Sequence, residues 1–346
     1  MKPTSIPTSI KDIARGANVS HSTVSRALRN SPLVNQQTAE KIQRIARETG
    51  YRPSAAARSL VTRHSETIGV VVTNIADPFV AEVVSGIEDA ADEHGFSVFL
   101  ANSNAEPERE VRVVHSFEER RVDGIIVTAS RVGALYVPLL SHMRVPIVLL
   151  NNQHPSQFAH SVMIANVQAG LDATRHLIEL GHRRIAYLGD RHGHQSDTER
   201  FAGYRQAVEE AGLPLEPLIV THGDGKPEAA RTAMAYLLAL PQPPTAVFCY
   251  NDLSALGAIR QIRDSGLHVP ADLSVVGFDD LYISQYMDPP LTTVRQPMRQ
   301  MGRMAMETLL QIFAGVESGH DIRVPGELIV RASGARPKPE VRRAHE

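Results

Sequence analysis

From Thr67 onward the chain alternates short apolar runs with helical patterns, and it does so in two successive series. The first series has apolar runs at 68–72, 96–100, 124–127 and 146–150, with helical patterns at 80–94 and 108–120 and a short run at 162–164. The second has runs at 184–188, 218–220, 246–248 and 273–277, each separated by a helical pattern. Strands that are apolar along their whole length must be covered on both faces, so the alternation predicts parallel sheets flanked by helices. Two series predict two lobes of similar build. Ligands of open parallel sheets sit beyond the C-terminal ends of the strands, and polar residues gather at those ends here. Asp77-Pro78-Phe79 follows the first strand, Asn151-Asn152 the fourth, Asn251-Asp252 the run ending near Cys249, and Phe278-Asp279-Asp280 the run ending at Gly277. Arg200 lies in the helical pattern after the 184–188 strand. Amides, carboxylates and an arginine around a flat ring such as Phe79 suit a sugar, whose hydroxyls need paired donors and acceptors and whose C–H face packs on an aromatic. The competing readings are structural. Asn152, Asp252 and Ser196 serve equally well as helix caps, and Arg200 with Asp279 could form a salt bridge between lobes.

A different pattern precedes this body. Ser9 caps a first helix, with Asp12 three residues on. Gly16-Ala17-Asn18-Val19 reads as a tight turn, and Ser20 caps a second helix over 21–29. Two helices joined by such a turn are the helix-turn-helix pattern, whose second helix enters the DNA major groove. At 3.6 residues per turn Val24, Ala27 and Leu28 share one face, set to pack against Ile10, Ile13, Ala14 and Val19. His21, Ser22, Ser25, Arg26 and Arg29 fall on the opposite face, and Ser20 and Thr23 flank its N-terminal end. Arg26 suits a bidentate contact to guanine, while His21 and Ser22 are less committed and would tune base preference. The bland alternative is a solvated polar face on a small helix. Charge separates the two readings. Residues 1–63 hold 11 Lys+Arg and 3 Asp+Glu, while the rest of the chain holds 25 and 35. A net of −2 therefore hides a basic head on an acidic body, the footprint of a nucleic-acid-binding head.

Several classes are disfavoured. No run approaches the apolar length of a membrane span, and Met1-Lys2-Pro3-Thr4-Ser5 is no apolar signal region. The single cysteine, Cys249, follows an apolar run and reads as a buried strand-end residue. These features predict a cytoplasmic chain. No G-x-G-x-x-G, G-x-x-x-x-G-K-[ST] or G-x-S-x-G motif occurs, so no catalytic residue and no cofactor is expected. His192 and His194 invite a metal reading, but without a third ligand they read as a polar loop, and no metal is expected. A sugar receptor that works outside the cytoplasm without a DNA role stands as the alternative; it fits the lobes but not the basic head.

Asp12-Ile13-Ala14, Val19-Ser20, Thr23-Val24-Ser25-Arg26 and the segment from Pro53 to Leu60 closely resemble the head of the lactose-repressor (LacI/GalR) family, and the resemblance continues through the body. It implies a hinge helix at 53–62 that forms on operator DNA and pairs with its twin in the minor groove. About nine residues cannot hold a helix alone in water, but Pro53 suits the first helical position and three alanines favour helix once contacts offset the entropy. Leu60 would be the wedge between base pairs, with Ser54, Ala57 and Arg58 near the groove and backbone. The resemblance further implies three crossings between lobes, near Asn166, Gln296 and Pro325. By likeness to ribose-type binding lobes, ligand contact carries onto Asp77, Phe79, Asn151, Arg200, Asn251, Asp279 and Gln296. Two departures qualify it: Val80 stands where many sugar-binding relatives have a second aromatic, and Gly225 stands where the purine-binding branch has a stacking one.

The expected organisation is therefore an α/β chain. A helix-turn-helix head (1–52) and a hinge (53–64) precede a two-lobed, periplasmic-binding-protein-like body. Its first lobe is 65–165 with 297–325, its second 166–296 with 326–337, and a polar tail follows at 338–346. The expected partners are duplex operator DNA, a sugar or related metabolite, and a second copy of the chain. The tail lacks leucine heptads, so a dimer is expected, with the helices beginning near Val80 and Glu108 as candidate contacts.

Overall fold

Ser9 starts the first helix by local chemistry. Its backbone amide and Oγ both donate to the Asp12 carboxylate, at 2.9 and 2.7 Å, which closes the first turn of α1 (Ile10–Ala17). Asn18 ends α1 in the left-handed conformation (φ 61°), a role that Asn fills more easily than most residues. The Ser20 Oγ accepts from the Thr23 amide at 3.1 Å to open α2 (His21–Ala27). α2 is shorter than the 21–29 span that the sequence predicts. Asn30 turns left-handed (φ 54°) and the Ser31 amide returns to the Arg26 carbonyl, which ends the helix early. Asn35 caps α3 (Gln36–Glu48). Ile13, Ala14, Ala17, Val24, Ala27, Ile42 and Ala46 form the buried centre, with Ile10, Val19 and Leu28 packed against it.

The computed structural model describes residues 9–28, 30–51, 64–128, 143, 145–151, 160–316 and 321–339. The expected hinge residues Ser54, Ala57, Arg58 and Leu60, together with Arg29 and Asn152, lie outside the described residues. The chain divides into two compact units, Met1–Ser65 and Glu66–Glu346.

The second unit holds two six-stranded sheets. The first is built from β1 (Thr67–Val72), β2 (Ser97–Asn102), β3 (Gly124–Thr128), β4 (Ile147–Leu150), β5 (Ser161–Ile164) and β11 (Asp321–Val324), in the order β11-β5-β4-β3-β1-β2, with every pairing parallel. The second contains β6 (Ile185–Asp190), β7 (Val220–Gly223), β8 (Ala246–Cys249), β9 (Ser274–Asp279), β10 (Thr292–Arg295) and β12 (Glu327–Ile329), in the order β12-β10-β9-β8-β6-β7. It is parallel except for β12, which runs antiparallel beside β10. The run at 218–220, read from sequence as a strand, is a 3-10 turn (Pro217–Ile219) that leads into β7. Pro217 lacks the amide a strand ladder needs and fixes the φ of a turn.

Helices α4 (Pro78–Glu93), α5 (Pro107–Glu119) and α10 (Met298–Phe313) accompany the first sheet, and α6 (Asn166–Glu179), α7 (Gln195–Glu210), α8 (Pro227–Leu238) and α9 (Asp252–Asp264) the second. The chain leaves the first sheet after β5, returns to it through Gln296 into α10, and leaves again after β11. Two helix pairs are drawn together by glycine. A methyl on Gly302 of α10 would overlap the Val83 carbonyl oxygen of α4, and one on Gly203 of α7 would overlap the Val167 carbonyl oxygen of α6. The same device thus sets the helix spacing in both lobes. Among the described residues no helix is long and apolar enough to cross a membrane.

Candidate functional site

The head presents one polar face. Ser20, His21, Ser22 and Arg26 are exposed, while Thr23 and Ser25 are half-buried. Val24 and Ala27, on the other side of the same short helix, are fully buried. The apolar stripe therefore fixes which side of α2 faces outward. At the N-terminal end the Ser20 Oγ lies 2.7 Å from the Ser22 Oγ and 2.9 Å from the Thr23 Oγ1, so these hydroxyls are held as a group. Among the described residues of the head, His21 and Arg26 are exposed and make no side-chain hydrogen bond or ion pair.

In the body, the polar residues beyond the strand ends form a continuous set in the second lobe. Arg200 is almost fully buried. Its Nε donates to the Asn166 Oδ1 at 2.9 Å and its Nη1 to the Tyr250 carbonyl at 2.6 Å. Its guanidinium carbon sits 3.6 Å from the Phe278 ring centroid and 4.8 Å from that of Tyr250, both within cation–π range. The Tyr250 hydroxyl meets the Ser196 Oγ at 3.0 Å, and the His194 ring stacks on Tyr250 at 6.3 Å and 9°. Next to Phe278, Asp279 accepts from the Gln296 Nε2 at 2.6 Å. The Gln296 Oε1 is buried and has no partner among the described residues, which is rare for a buried acceptor.

Two strand ends hold unusual backbone. Asp279 has φ 119° and Asn151 has φ 50°, conformations that cost a non-glycine residue about 1–3 kcal/mol and concentrate at functional sites. Burial drives the Asp279 carboxyl well above the ordinary aspartate range, against the pull of the Arg200 charge; Asp252 and Asp77 push it the same way as burial. A carboxyl that keeps its proton donates as well as accepts. Burial also raises Asp77, although its carboxylate accepts from the Phe79 amide at 3.0 Å as the cap of α4.

The remaining predicted residues divide. Phe79 packs against the core of the first lobe, and Val80 is buried within that core. Asn251 is committed at both ends of its amide: its Oδ1 accepts from the Ser254 amide at 2.8 Å and its Nδ2 donates to the Gly225 carbonyl at 3.0 Å. Asp252, left open between ligand and cap, is a structural anchor. It accepts from the Leu281 amide (2.8 Å), the Ser284 hydroxyl (2.5 Å) and the Thr293 hydroxyl (2.5 Å). Cys249 is buried in the core, and burial pushes its thiol well above the usual range. The His194 Nδ1 lies 2.5 Å from the Asp190 Oδ2. Burial alone would raise Asp190, but the contacts with His194 and His192 outweigh it and hold the carboxyl low.

Sequence reasoning missed Tyr250, Phe278, Asn166 and Glu199. The first two stand at the ends of β8 and β9, where the strand-end rule was already pointing. The Tyr250 ring faces the Arg200 guanidinium, whereas Phe278 meets it from within the buried core of the second lobe. Gly225, where a stacking aromatic was found wanting, lies against Tyr250: a methyl there would come 3.6 Å from the Tyr250 ring. The aromatic surface therefore comes from another strand.

Comparison with known proteins now bears on both units. Residues 9–54 match the model of "Bacterial regulatory proteins, lacI family", and residues 174–334 match that of a "Periplasmic binding protein-like domain". The HTH-type transcriptional repressor CytR of Escherichia coli (strain K12) is 38% identical over 94% of this chain and 95% of its own length. The chain belongs to the lacI family of bacterial regulatory proteins. This lacI-family chain is similar in structure to the lac repressor dimer bound to operator and the anti-inducer ONPF, with a TM-score of 0.88 and 30% identity over 95% of this chain and all of that one. It is also similar to the regulator CelR in complex with cellobiose, with a TM-score of 0.72 and 32% identity over 94% of this chain and all of that one. It is a helix-turn-helix, DNA-binding transcriptional regulator with a periplasmic-binding-protein-like body.

Proposed function

We propose that this chain is a cytoplasmic repressor that binds an approximately palindromic operator as a homodimer and answers to a sugar or sugar derivative held between the lobes of its body. The observation that carries the reading is the buried trio of Arg200, Asp279 and Gln296. It joins a cation, a carboxyl that burial pushes toward its protonated form and a buried acceptor with no partner among the described residues, beside the aromatic rings of Tyr250 and Phe278. Hydroxyls of a sugar satisfy such a set, and Ser196 extends it. The relatives support the DNA half: one is named a repressor, and another is a dimer on its operator.

On the DNA, α2 would lie in the major groove with Arg26, His21 and Ser22 at base edges and Ser20, Thr23 and Ser25 near the backbone. Two heads in one dimer would read two half-sites. The ligand would act through lobe closure, and only to the extent that it binds one lobe arrangement more tightly than the other.

The test is a panel of pentoses, hexoses and nucleosides, scored by thermal stabilisation and by change in operator binding. A true effector at about a hundred times its Kd stabilises the chain by about 2.7 kcal/mol. Asp279→Ala abolishes the response to that compound and leaves ligand-free operator binding intact. Loss of both would assign Asp279 to folding and remove it from the site.

A further inference from the structure

Asn166 stands where the first crossing enters the second lobe, as the first residue of α6, and it is almost fully buried. Both ends of its side-chain amide are engaged. The Oδ1 accepts from the Arg200 Nε at 2.9 Å, and the Nδ2 donates to the Glu199 Oε2 at 3.0 Å. Glu199 is buried next to Arg200 on α7, and its Oε1 receives the Gln195 Nε2 at 3.3 Å. That same Oε1 lies 3.6 Å from the Nη1 of Arg323, which belongs to β11 in the sheet of the first lobe. A four-residue chain therefore runs from Arg200 to the opposite lobe.

Its position gives it leverage. β5 and β11 are parallel neighbours, and both lead directly into crossings. The Ala165 amide bonds to the Val324 carbonyl at 2.8 Å, so the two crossings start from one point. The third crossing is fixed separately, by the Gln296 amide on the Asp279 carbonyl at 3.2 Å. An amide with both ends used has no freedom to follow Arg200 without moving Glu199, because each lost bond would leave a buried polar group unsatisfied. The Glu199–Arg323 contact is the link that joins the lobes. Arg323 is half-exposed, so this link is weak enough to break and re-form.

We propose that Asn166 and Glu199 are positioning residues that transmit the placement of Arg200 to Arg323, so that occupancy of the ligand site sets the angle between lobes at two adjacent crossings. The inference rests on the ligand site assigned above, and it adds the means by which that site acts on lobe closure. The network is a two-state element only if loosening one end is felt at the other.

The test is amide hydrogen exchange of the ligand-free, full-length protein. Arg323→Gln keeps a polar side chain and removes the charge. It raises exchange at residues 166–169 and 195–200, in the opposite lobe, by about fivefold or more. Arg323→Lys restores protection to within about twofold. Combining Arg323→Gln with Asn166→Ala gives no more than the larger single effect, as one continuous path requires. Protection of β6, β8 and β9 is the folding control. If Arg323→Gln loses that protection, Glu199→Gln replaces it, with the same exchange expected at 166–169. A change confined to β5 and β11, or simple additivity in the double variant, overturns the relay. Operator affinity is then read on a duplex recovered by selection. A shift of about threefold or more with Arg323→Gln carries the relay through to DNA. Altered exchange with unaltered affinity overturns that last link alone. Failure of every form to bind any duplex would instead overturn the repressor reading and leave the exchange result standing.

Discussion

Asp252 offers the sharpest energetic prediction because its environment is fully specified. Burial pushes its carboxyl up to about 6, against the lowering effect of the Ser284, Thr293 and Leu281 hydrogen bonds. The folded chain therefore binds this proton more tightly than the unfolded chain does. A displacement from the ordinary 3.8 to about 6, at about 1.4 kcal/mol per pH unit, amounts to about 3 kcal/mol. The sign follows from proton release on unfolding. The contribution is fully present below about pH 4 and is lost as pH rises through about 6. In Asp252→Asn the amide oxygen still faces the Leu281 amide, and the Thr293 hydroxyl can turn to accept from the new NH₂ group. The variant has no charge to bury. Denaturant unfolding of both proteins between about pH 4 and pH 7 should therefore show Asp252→Asn gaining up to about 3 kcal/mol relative to the parent as pH rises. Asp279, which the Asp252 charge pushes up, responds in the same sense, because losing that charge eases its own ionisation; the remaining titrating groups are common to both proteins. Parallel curves across the range would refute the reasoning, because the carboxylate would then be as well stabilised in the fold as in water.

Ile42→Ala empties a fully buried position of the head, at about 2–5 kcal/mol; a unit this small has little stability to spare. Calorimetry should show the head transition lost and the body transition unmoved, with operator binding abolished. Gly203→Ala forces a methyl into the Val167 carbonyl and should destabilise the body by about 2 kcal/mol in denaturant unfolding, the overlap outweighing the gain in helix propensity. His21→Ala should change the base preferred at one position of each half-site in sites recovered from a random pool; an unchanged site removes His21 from the reading set.

Much of the architecture was legible because it rests on period and punctuation. The apolar runs that became β1, β3, β8 and β9 are apolar on both faces, as strands between two helix layers must be. Ser9, Asn18 and Ser20 announce the start and stop of α1 and the start of α2 through side chains that bond their own backbone. Such signals are local. The end of α2 was overrun by two residues because Asn30, a left-handed stop, sits beyond a segment that still reads as helix. The 218–220 run reads as a strand because its apolar content outweighs Pro217. The two-lobed sheet topology drew on resemblance as well as on the alternation, since periodicity alone does not say which sheet β11 or β12 joins.

The candidate site was legible as a place more than as a list. The strand-end rule led to Asp279, and Tyr250 and Phe278 stand one residue before Asn251 and Asp279, the polar residues it chose. It could not say that Asn251 and Asp252 would be consumed by caps and anchors. That depends on partners such as Gly225, Ser284 and Thr293, which are distant in sequence. Asn166 and Glu199 carried no local signal: each is a common helix residue, and only the close approach of α6 and α7 brings both to Arg200.

Selection of bound duplexes from a random pool by the full-length chain decides whether the protein is a dimeric operator reader that answers to a ligand. Salt at roughly 0.15 M suppresses contacts that are only electrostatic. The selection is run with and without pooled sugars and nucleosides. A dimeric, ligand-responsive reader yields one enriched site of two symmetric half-sites, whose recovery changes when the metabolites are present. No enrichment under either condition, or a single unpaired half-site indifferent to the pool, would contradict it.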